Sequence, residues 1–145
     1  MIVRKKRTEI MAKCEAKELK ELSRLVEEHH NVEILEKPNS GLVMVKMRES
    51  AQKHLFYLGE VLVTECKVTI GDVIGLGIIQ GVHLKKAYFM AVVDAAYTAK
   101  IPEIKKLDKR LYALDEKVKE RTAKETARIL KTKVNFETLD EEVKA

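Results

Sequence analysis

The sequence predicts an α+β fold: an antiparallel β-meander of about four strands, one apolar helix packed closely on it, and amphipathic helices flanking both. Three observations predict this. Apolar residues recur at helical spacing near both ends of the chain. The middle third is instead made of short β-branched runs separated by Gly, Pro and Asn. Between that middle and the last helix lies "AYFMAVVDAAY", apolar nearly all round, as expected of a helix covered on two sides. A chain of 145 residues suits one domain, 1–145, with a basic arm at 1–7 and a tail at 134–145.

From Thr8 to His30, Leu19, Leu22, Leu25 and Val26 form one apolar stripe and Glu and Lys fill the other face. The spacing predicts one amphipathic helix there. "VEILE" and "LVMVKMR" follow, divided by "KPNSG", a turn signal that predicts a hairpin. "HLFYLGEVLVTECKVTI" is long enough to need a bend or bulge at Gly59. Gly71-Asp72 then makes a two-residue turn into "VIGLGIIQ". Two helices close the chain, from about His83 to Ala99 and from near Pro102 onward, the second carrying Leu107, Leu111, Leu114 and Val118.

"GDVIGLGIIQG" concentrates glycine after a strand, so it is tested first as a phosphate loop. The dinucleotide fingerprint needs a third glycine where Gln80 stands, and a P-loop needs a Gly-Lys-Ser/Thr triplet that the chain lacks. The turn at Gly71-Asp72 offers another explanation. It pairs Val68 with Gly75 and Cys66 with Gly77, so both glycines bare one sheet face to the following helix. On the opposite face Ile74, Leu76 and Ile78 lie beside Thr69, Lys67 and Glu65. That row is too apolar for open water and suits a partner surface. Val134, Phe136 and Leu139 in the tail are a second candidate, with Phe136 as anchor.

Lys and Arg number 28 against 23 Asp and Glu, a mixed surface whose net charge of +5 by itself implies no partner. Cys14 and Cys66 fit neither a disulfide framework nor a metal spacing and agree with a reducing, cytoplasmic setting. The start of the chain has no apolar signal region, and Asp94 interrupts the most apolar helix short of a membrane span. His29, His30, His54 and His83 make no ligand pair at helical spacing. Asp94, the one charge in its helix, is either a catalytic carboxylate or a hydrogen-bonded anchor. The anchor is the stronger reading, since no acid–base partner stands beside it at helical spacing. His83, Lys85 and Lys86 open a helix whose free N–H groups could hold an anion, against a plain lysine-rich surface as the simpler reading. "RKKR" at 4–7 lacks interleaved aromatics and reads as a mobile terminus.

"YLGEVLVTECKVTI", Gly75-x-Gly77, Gly81 and "AVVDAA" together resemble the PhnG family of the bacterial carbon-phosphorus lyase system. The likeness runs from about Ser40 to Tyr97 and returns in "TAKETARILKTKVNFETL"; Gly59, Glu60, Thr64, Gly75, Gly77, Gly81 and Asp94 are its motif positions. One departure follows Gly81, where the family tends to carry Arg-Asp and this chain has Val82-His83. The resemblance implies a subunit of a core complex. With sister subunits, such proteins support transfer of the ribose triphosphate moiety of ATP to an alkylphosphonate, giving an α-D-ribose 1-phosphonate 5-triphosphate. Radical cleavage of the carbon-phosphorus bond comes later, on an iron-sulfur subunit, and two Cys cannot hold such a cluster. Sister subunits are the implied partners, with self-association of the isolated chain as a further expectation. No cofactor, metal, nucleic acid or membrane partner is expected, and no catalytic residue. Two other readings remain open on the residues alone: a free-standing phosphonate or nucleotide enzyme using Asp94 or His83, and a small nucleic-acid-binding protein using residues 4–7.

Overall fold

Four helices and a three-stranded antiparallel sheet make up residues 1–134, which a computed structural model of the chain describes. In chain order they are α1 (Arg4–Lys13), α2 (Ala16–Glu27), β1 (Val32–Arg48), β2 (Leu55–Ile70), β3 (Val73–Gln80), α3 (Leu84–Thr98) and α4 (Ile104–Leu130). The sheet order is β1-β2-β3.

The first helical segment is two helices, because Cys14 and Glu15 take extended backbone angles. Glu15 then caps α2 reciprocally with Glu18, whose carboxylate accepts the Glu15 N–H at 2.9 Å. Glutamate stands where Ser or Thr usually marks such a box, so the sequence reads as one continuous helix. Residues 4–7 are likewise the first turn of α1 and not an arm.

The expected hairpin at "KPNSG" is a second correction. β1 runs straight through those residues, and its register against β2 shifts between Ile34 and Glu36 and again between Glu36 and Asn39. Pro38 is tolerated because β1 is an edge strand, where a missing N–H need not break a ladder. The chain reverses instead at residues 49–54, where the Glu49 N–H donates to the His54 carbonyl at 2.9 Å. Hence the sheet has three strands where about four are expected.

The rest of the meander follows the sequence. Gly71 takes φ +59° in the turn, and Ile70 pairs with Val73, Val68 with Gly75, and Cys66 with Gly77. Beside Gly59 the register slips, Val45 facing Gly59 while Lys46 faces Tyr57, which leaves Leu58 as the extra residue of a bulge.

α3 lies between the sheet and the other helices. A Cβ on Gly75 would overlap the Ala91 carbonyl oxygen and the Ala95 nitrogen, and one on Gly77 would overlap the Ala87 carbonyl oxygen. The two missing side chains therefore let helix and sheet backbones touch. Over α3 pack Ile10 and Met11 of α1, Leu19, Leu22 and Val26 of α2, and Leu107 and Leu111 of α4, all in one buried cluster. α4 leaves this core after Val118, and residues 122–130 are exposed.

Candidate functional site

Asp94 is 3% exposed and sits on the face of α3 that meets both β3 and α1. Its Oδ1 accepts from Arg4 Nε at 3.0 Å and from Arg7 Nη2 at 3.4 Å. Its Oδ2 accepts from Arg4 Nη2 and from the Leu76 N–H at 3.1 Å. Arg7 also donates to the Ile2 carbonyl at 2.6 Å and stacks 4.0 Å over the Tyr97 ring. The carboxylate thus ties α1, α3 and β3 together. With both oxygens occupied by donors it has no lone pair aimed at a cleft, which is the geometry of an anchor and not of a general base. Local sequence could not reveal the two arginines, because they arrive from residues about ninety positions away.

A second knot holds the entry to α3. Gly81 takes φ +86° and its carbonyl accepts the Thr64 hydroxyl, while the Thr64 hydroxyl oxygen in turn accepts the His83 N–H at 3.0 Å. One of the amides proposed for an anion is therefore already paired. Lys86 turns away from the helix end and donates to the Ala12 carbonyl at 2.9 Å, where partial burial lowers its pKa. Lys85 instead lines an open groove with Ala16, Lys17 and Lys20 of α2. His83, Lys85 and Lys86 are not brought together.

The other titratable candidates also resolve into structure. His30 meets Glu103 at 2.9 Å, fastening the end of α2 to the start of α4. Cys14 and Cys66 are buried, and burial pushes both thiols up to about 11. Among the described residues no group of three His, Cys, Asp or Glu side chains is placed to hold a metal ion, and no helix is long and apolar enough to cross a membrane.

The remaining sequence-predicted candidates are apolar surfaces. Ile74 and Ile78 are 54% and 38% exposed on the outer sheet face, beside Lys67 and Glu65. Val134 is exposed, whereas Phe136 and Leu139 lie outside the described residues. A larger surface was not anticipated. β3 pairs with β2 only over residues 63–70, so Leu42–Arg48 and Leu55–Leu62 continue beyond it as a two-stranded ribbon. Leu42, Met44, Leu55 and Leu62 on one side, and Val43, Met47 and Phe56 on the other, are all exposed. A polar–apolar alternation would have left one side wet and one covered; this ribbon is apolar on both. Its signal was in the sequence, since "GLVMVKM" and "HLFYLGEVL" do not alternate.

The family model described as phosphonate metabolism protein PhnG matches residues 3–140. The chain belongs to the PhnG family. No curated protein was found to match it. Within this PhnG family member the motif positions fall into three places. Gly75, Gly77 and Asp94 join β3 to α3; Thr64 and Gly81 shape the entry to α3; Gly59 and Glu60 lie on the ribbon, at the bulge and opposite Met44.

Proposed function

We propose that this PhnG family member is a cytoplasmic subunit of the carbon-phosphorus lyase core complex. There it supports, with sister subunits, transfer of the ribose triphosphate moiety of ATP to an alkylphosphonate, supplying architecture and not catalytic groups. Family membership supports the phosphonate setting. The ribbon is the observation that carries the assembly reading. A two-stranded hairpin is marginal in water by itself, yet here nine large apolar side chains, Leu42, Val43, Met44, Met47, Leu55, Phe56, Tyr57, Leu58 and Leu62, are each 43–63% exposed. Such an area is of the order of the roughly 800 Å² that one partner brings to a standard interface. The row of Ile74, Leu76 and Ile78 extends the apolar surface on the same sheet.

Two contacts weigh against the rival readings that use Asp94 or residues 4–7. An enzyme using Asp94 would have to release a carboxylate held by two arginines and a backbone amide. A nucleic-acid binder using residues 4–7 would need Arg4 and Arg7, which face Asp94. The test is co-purification from cells expressing the sister subunits, with Phe56→Ser and Leu62→Ser in the ribbon. Loss of the sister subunits by a chain that still melts normally is the expected result. Unchanged assembly rules out the ribbon as the joint, and adenine release from ATP and methylphosphonate by the isolated chain rules out the accessory role.

A further inference from the structure

β2 outruns β3. The third strand ends at Gln80, and Gly81, whose φ of +86° turns the chain out of the sheet, donates its N–H to the Leu62 carbonyl at 2.9 Å. Beyond that bond Leu55–Val61 has β1 on one side and, among the described residues, no strand on the other. The register fixes which backbone groups face that open side. Since Leu62 faces it, a period of two puts the Glu60 N–H and carbonyl there as well. At the far end of the ribbon the Glu49 N–H donates to the His54 carbonyl at 2.9 Å, which turns His54 and Phe56 toward β1 and leaves Leu55 and Tyr57 facing outward. The bulge at Leu58 joins the two phases.

Of the sheet's three open edges this one is the least guarded. β1 carries Glu33, Glu36, Lys37, Pro38, Lys46 and Arg48, the charges and proline that keep another strand from pairing. β3 is 8 residues long, and its outward Leu76 N–H is taken by Asp94 at 3.1 Å. Residues 55–62 hold no proline and one charge, Glu60. An apolar face could be covered by any apolar surface, but a row of backbone donors and acceptors in the plane of the sheet is satisfied by the backbone of another strand. Glu60 adds a condition on that strand. It is exposed and forms no ion pair among the described residues, so a basic side chain placed opposite it would complement it. A second copy of β2 brings no basic residue between 55 and 62.

We propose that the ribbon takes up an extended strand of a partner subunit along Leu55–Leu62, in line with β3. The incoming strand sets apolar side chains beside Leu55, Tyr57 and Leu62 and a Lys or Arg beside Glu60. The inference rests on the assembly reading and states how the ribbon makes its joint.

The test compares Tyr57→Pro with Tyr57→Ala in the full chain, co-expressed with the sister subunits. Proline removes an N–H that β1 does not use, so the ribbon keeps its own ladder, whereas alanine keeps the N–H and loses the ring. Recovery of sister subunits should be about tenfold lower with proline than with alanine, and lower with Glu60→Lys than with Glu60→Gln. In the unaltered chain, amide hydrogen exchange at Leu55, Tyr57 and Glu60 should slow about tenfold or more on assembly, which decides the matter if Tyr57→Pro melts below the parent. Equal recovery with a proline variant that melts normally overturns strand addition, as do outward amides that exchange as fast in the assembly as in the free chain. If Phe56→Ser and Leu62→Ser still lose the sister subunits in that case, the ribbon joins by its faces and the assembly reading stands. Outward amides that are slow in the isolated chain and become fast on dilution place a second copy on the edge and overturn the proposal as well.

Discussion

The glycine-bared face under α3 and the β1–β2 ribbon are two ends of one sheet with opposite fates. Both are rich in Val, Leu and Ile. At the first end Val68, Cys66 and the two glycines lie against α3, and the α3 residues they meet, Ala87, Ala91 and Ala95, are fully buried. At the second no element of the described chain covers either side. Apolar composition therefore does not say where a protein's own core stops and another molecule's begins. What separates the two ends is whether a third strand and a helix return to the same place, and β3 is 8 residues long against 16 for β2.

The covered end should be the sensitive one. Asp94→Leu leaves Arg7, only 8% exposed in its side chain, without its carboxylate. Breaking a buried pair in this way costs about 3–5 kcal/mol. Urea unfolding would measure it, and a midpoint like the parent's would mean that α1 is not held by this ion pair.

Gly77→Val is expected next. Its branched side chain would meet the Ala87 carbonyl and, at 2.7 Å for Cβ alone, the Ala91 nitrogen. Overpacking typically costs about 1–3 kcal/mol, and helix backbone cannot rotate out of the way as a side chain would. A Gly77→Val chain as stable as the parent would show that α3 lifts freely from the sheet.

The ribbon should respond in the opposite sense. Phe56→Ser and Leu62→Ser should change the isolated chain's stability by no more than about 0.5 kcal/mol, as exposed positions do, while association with sister subunits falls. A large loss of stability on a thermal melt would place the ribbon inside the subunit's own fold, removing the contrast.

The smallest expected effect is a pH dependence at the α2–α4 joint. The hydrogen bond from His30 lowers the Glu103 pKa below its ordinary 4.5. A depressed carboxylate contributes stability above its unfolded pKa, and that contribution is lost as pH falls through the folded value. Glu103→Gln should therefore flatten the stability profile below about pH 4.5 and leave the acid limb otherwise intact. An unchanged acid limb would detach His30 from Glu103.

Much of this was legible locally. The register of β2 on β3 followed from a two-residue turn at Gly71-Asp72, because a turn of fixed length sets every pair beyond it. The close helix followed from the parity of Gly75 and Gly77. The break at Cys14-Glu15 was hidden by an unusual cap residue, and the run through Pro38 by the position of β1 at an edge, a property of the sheet and not of the residue.

By itself, then, the sequence determined the α+β class, the glycine contact, the failure of the nucleotide motifs and the likeness to the PhnG family, all of which depend on spacings of a few residues. Only the tertiary structure decided that Arg4 and Arg7 meet Asp94, that Lys86 turns from the helix end to Ala12, and that the ribbon is bare on both sides. Those outcomes depend on which distant elements share a surface. Burial and ion pairing are properties of that shared surface, and a short stretch of sequence does not carry them.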